Sequence, residues 1–115
     1  MLFFFFLLWA NSFQTYAQED KLFRLIVFFQ AEQKEKNDRA IDKYEKYIKS
    51  FQKKTGISIF AEKIFLGKEG EAKFCMELKE LGTKNMNQFI KDTKEFAKRA
   101  KNNEIEIREN IPCLW

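Results

Sequence analysis

Ala72-Lys73-Phe74-Cys75-Met76-Glu77-Leu78-Lys79-Glu80-Leu81 is the stretch on which the reading of the fold turns. Ala72, Phe74, Met76 and Leu78 fall on one face of an extended chain, and Lys73, Cys75, Glu77 and Lys79 on the other. Alternation with period two over this length predicts a strand covered on its apolar face, and Gly82 predicts its end.

Upstream, Gly67-Lys68-Glu69-Gly70 reads as a hairpin loop leading back into Ile57–Leu66, a second strand. Before it, Ile41, Tyr44, Ile48 and Phe51 recur at spacings of three and four, which predicts an amphipathic helix over 37–54, stopped at Gly56. Leu22–Phe29 (LFRLIVFF) is short, apolar and branched, as a buried central strand is. Downstream, Asn85 with Gln88 resembles a capping box opening a helix that buries Met86, Phe89, Ile90, Thr93, Phe96, Ala97 and Ala100. Ile105 and Ile107 alternate with Glu104, Glu106 and Arg108 in a fourth strand. The order β-α-β-β-α-β predicts an α+β ferredoxin-like sandwich: a four-stranded antiparallel sheet, order 4-1-3-2, with two helices on one face. That fold hosts many unrelated functions and names none.

Leu2–Trp9 is an uninterrupted apolar run, too short to span a bilayer, for which about 20 residues are needed. It fits the core of a secretory signal over 1–17, with Ala17 before the polar Gln18-Glu19-Asp20, although no Lys or Arg precedes it. Residues 18–115 then form a single domain. Export makes the only two cysteines, Cys75 and Cys113, a predicted disulfide that ties back the tail, residues 110–115. The expected location is secreted or periplasmic.

Histidine is absent, which excludes Ser-His-Asp and Cys-His catalysis and imidazole-bound metal. Ser50 and Ser58 have no base to activate them, and no calcium loop or phosphate-binding glycine motif occurs. The loop after the first strand, Gln30–Lys36, has none of the glycine and arginine of acylphosphatases or the Cys-x-x-Cys of heavy-metal-associated domains. The aromatics on which RNA-recognition motifs stack bases are replaced by Lys73, Cys75 and Glu77. No catalytic residue, metal or cofactor is expected.

Two surfaces remain. On the open sheet face, Leu22, Ile26 and Phe28 should lie beside Cys75, with Leu114 and Trp115 drawn over them by the disulfide. This is a second small core or, where left uncovered, a docking patch of Ile26, Phe28, Leu114 and Trp115. On the second helix Lys91, Lys94, Lys98 and Lys101 form a stripe that is either solvated surface or an anion-binding face. The leading expectation is a small exported, non-catalytic binding or inhibitory module that contacts an unknown protein through the open face, as subtilisin-type propeptides and immunity proteins of similar size do. The alternative is attachment to anionic polymers or membrane surfaces through the lysines.

Overall fold

A computed structural model describes residues 21–30, 34–67, 70–100 and 105–113. Among the described residues the fold is α+β, with two helices and two antiparallel sheets. Its elements are β1 (Leu22–Phe23), β2 (Leu25–Phe29), α1 (Lys34–Thr55), β3 (Ala61–Phe65), β4 (Ala72–Met76), a 3₁₀ turn (Lys79–Leu81), α2 (Gly82–Arg99), β5 (Ile105–Arg108) and β6 (Ile111–Pro112). The larger sheet runs β3-β4-β2-β5, and β1 pairs with β6 in a separate two-stranded ribbon.

Among the described residues six strands therefore stand where the sequence predicts four. The expected strand Leu22–Phe29 is interrupted at Arg24, and the chain reverses its facing there. Leu22 is exposed, whereas Phe23 packs inward beside Ile26 and Ile111. The register nevertheless continues across the break, because Ile26 opposes Arg108 in one sheet and Phe23 opposes Ile111 in the other. Asn110, at φ 57°, turns the chain from β5 into β6. A short polar side chain tolerates that left-handed backbone better than most residues do.

The main core lies between the larger sheet and both helices. Leu25, Val27 and Phe29 of β2 and Ala72, Phe74 and Met76 of β4 meet Ile41, Tyr44, Ile48 and Phe51 of α1 and Phe89 and Ile90 of α2. The three-and-four spacing of α1 thus buries one stripe, and α1 ends where Gly56, at φ 73°, donates its N–H to Gln52 O at 2.8 Å. At its start Asn37, buried, donates from Nδ2 to Gln30 O at 2.9 Å and so ties the helix to the end of β2.

Several boundaries differ from the prediction: α1 begins at Lys34 and not at Asn37, and the strand expected over Ile57–Leu66 is confined to Ala61–Phe65. Strand β4 stops at Met76, because Leu78 adopts φ 63° and turns its side chain fully into the core. Burying a leucine is worth about 2 kcal/mol, enough to offset the roughly 1–2 kcal/mol of a left-handed backbone. Helix α2 then begins at Gly82, three residues before the expected capping box. Gln88 bonds Asp92 one turn along the helix (2.8 Å) and does not cap its start.

Candidate functional site

The predicted bridge is present. Cys75 and Cys113 are joined with their Cα atoms 6.0 Å apart, and no cysteine is free. It sits on the face of the sheet away from the helices, where Ile26, Cys75 and Cys113 are buried and Phe23, Ile64 and Ile111 pack against them. The open face of β2 and β4 is thus a second core. This corrects the expected docking patch: Ile26 is 0% exposed and cannot reach a partner. Phe28 is half-buried, and Leu114 and Trp115 lie outside the described residues.

Lys73 lies on the face of β4 where alternation puts it, beside Cys75. It is only 4% exposed there, and its Nζ donates to the Cys113 carbonyl. The long stem lies under the returning tail and brings the ammonium to an acceptor there.

Sequence patterning missed the apolar surface at the outer edge of β3. Phe60 is 82% exposed, Phe65 67% and Leu66 45%. Strand β3 pairs with β4 on one side and with no other described strand. Leu66 N–H donates to Glu71 O at 2.9 Å, so in this antiparallel ladder the inward-bonding residues of β3 alternate from Leu66 through Ile64 and Glu62. The main-chain groups of Ala61, Lys63 and Phe65 consequently point away from β4, to the edge that no described strand covers. Lys63 Nζ lies 3.1 Å from Glu45 Oε1 and 4.7 Å from the Phe65 ring centroid, which holds that ring beside the edge.

The lysine stripe divides. Lys94 Nζ is 2.9 Å from Glu109 Oε2, and Arg24 Nη1 donates to Glu109 Oε1 at 2.6 Å. The hydrogen bonds from Arg24 and then Lys94 hold the Glu109 carboxyl below the ordinary glutamate range. Lys91 and Lys98 are exposed in a shallow cavity that also contains Glu95 and Glu109, and Lys101 lies outside the described residues.

Between the helices the two tyrosine hydroxyls are engaged internally. Tyr44 OH and Thr93 Oγ1 share a hydrogen bond of 3.0 Å, and Tyr47 OH donates to Asp92 Oδ2 at 3.2 Å. Burial pushes both hydroxyls far above the ordinary tyrosine range, with Asp92 adding to the effect at Tyr47. Rings of Phe29, Phe74, Phe89 and Phe96 surround Tyr44. This is a packed aromatic centre with its polar atoms satisfied.

Among the described residues no cluster of three metal-ligating side chains occurs, and no helix is long and apolar enough to cross a membrane. Compared with protein-family models, curated proteins and solved structures, the chain matches none of them.

Proposed function

We propose that the protein is a small exported, non-catalytic module that binds another protein by taking an extended segment of it onto the free edge of β3. The observation that carries this reading is that the edge groups of Ala61, Lys63 and Phe65, which no described strand pairs, lie beside the exposed Phe60, Phe65 and Leu66. An incoming strand would satisfy the main-chain groups, and its side chains would cover the rings. The disulfide supports export, because such bonds persist in oxidising compartments. The partner is an extended, apolar-rich polypeptide, and the contact lies on the sheet edge and not on the sealed open face.

The same proposal covers the architecture. Strands β2, β3, β4 and β5 with α1 and α2 form a ferredoxin-like unit to which the β1–β6 ribbon is added. The order β3-β4-β2-β5 and the packing of both helices on one face support this.

The test places a photoreactive amino acid at Phe60 or Phe65 and cross-links the protein in the exported fraction. A discrete adduct that disappears in Ala61→Pro, a change that removes one edge N–H and leaves the β4 ladder intact, is expected. Equal yields with and without Ala61→Pro would exclude strand addition.

A further inference from the structure

We infer that the protein carries an oligophosphate-binding site between the N-terminal half of α1 and the C-terminal end of α2, formed by Lys36, Arg39, Lys43 and Arg99. Among the described residues these four cations line a solvent-open cavity of about 500 Å³ together with Phe96, Ala40 and Ala100, and no described acidic residue lines it. Lys36, Arg39 and Lys43 stand three and four residues apart, hence in one row along α1. Glu35 and Asp42 stand four and three residues from Arg39 and flank this row, but neither lines the cavity, and Asp42 pairs with Lys46 at 3.1 Å.

The contrast with the other basic cavity identifies the site. There Lys94 and Arg24 both hold Glu109, so a carboxylate of the chain already occupies the position of an anion. Among the described residues none of Lys36, Arg39, Lys43 and Arg99 has such an acid, and their charges reinforce one another over a common cavity. A ligand that relieves this must be compact and multiply negative. Two guanidiniums offer forked donors that match phosphate oxygens, and the lysines supply further point charges. The half-buried Phe96 gives the cavity an apolar floor, which a single inorganic phosphate would leave unused. The ligand class is a chain of adjacent phosphate groups, free or attached to an organic moiety such as a nucleoside.

Titration calorimetry of the purified protein with sodium tripolyphosphate, ATP and inorganic phosphate tests this at about 0.1 M salt, where the screening length is about 10 Å. Tripolyphosphate and ATP are expected to bind at one site and inorganic phosphate at least about 30-fold more weakly, since fewer charge-assisted bonds form. ATP binding tighter than tripolyphosphate would assign the Phe96 floor to a base, and equal affinities would assign the site to the phosphate chain alone; both support the site. Arg39→Gln with Arg99→Gln should weaken tripolyphosphate by about 100-fold, the loss of two charge-assisted contacts. All of these side chains are exposed, and the fold of each variant is checked by its far-ultraviolet dichroism. Lys91→Gln with Lys98→Gln should change affinity less than about threefold, because that face is already balanced by acids. Absence of binding by tripolyphosphate, or an equal loss in the two double variants, would overturn the assignment.

Discussion

The ammonium of Lys73, at the centre of the sheet, donates to the main-chain carbonyl of Cys113, two residues along β4 from the disulfide partner Cys75. The returning tail is thus held at one point by a covalent bond and a charged hydrogen bond together. Replacing Lys73 by Met keeps the apolar stem and removes the donor. Stability to urea should fall by about 1–3 kcal/mol, since a buried carbonyl loses its partner. An unchanged unfolding midpoint would mean that burying the charge costs as much as the bond contributes.

The bridge itself closes a loop of 38 residues in sequence separation. Cys75→Ala with Cys113→Ala should lower stability by about 4 kcal/mol in the loop-entropy account. Without the bridge the tail is free to leave, so Lys73→Met should then cost much less than in the oxidised protein. That non-additivity, measured in a double-mutant cycle, reports whether the two contacts act as one unit.

Tyr44→Phe leaves the surrounding rings in place and removes only the hydroxyl bonded to Thr93. The expected loss is about 1–2 kcal/mol, because the fully buried Thr93 keeps a polar atom with no counterpart. Thr93→Val in the same chain should recover part of it. Thermal unfolding of the two single variants and the double variant gives the comparison, and strictly additive losses would contradict a shared bond.

Acid should weaken the protein partly through Glu109. Its folded pKa is lowered by Arg24 and Lys94, so its contribution is complete above the ordinary glutamate range and is lost as pH falls through the folded value. Glu77, held low chiefly by its hydrogen bond from Lys21, acts in the same direction. In Glu109→Gln, stability should start lower at neutral pH and decline less steeply on acidification. Parallel curves for the two proteins would remove Glu109 from the acid response.

Export predicts a mature chain that begins at Gln18 and takes up no thiol reagent before reduction. Intact-mass measurement of the secreted protein reads both features at once. A retained Met1 would sink the first, and two alkylated cysteines in unreduced protein the second.

Sequence alone determined those features that depend on one element at a time. The stripe Ile41, Tyr44, Ile48 and Phe51 can be buried only as a helix, and the alternation at Ala72, Phe74 and Met76 only as a strand. With two cysteines only one internal pairing exists. The tertiary structure decided what arises between elements. The break at Arg24 moved Phe23 into the second core, Leu78 left its strand to fill the first, and of the two readings of the open face, second core or docking patch, packing chose the core for Ile26. Charges followed the same rule. Periodicity alone makes the lysines of α2 one stripe, but only packing brings Lys94 to Glu109 and leaves Arg99 beside Arg39. The physical reason is that a side chain's burial and its charge partner depend on which surfaces meet across the chain, and local spacing contains no record of that meeting.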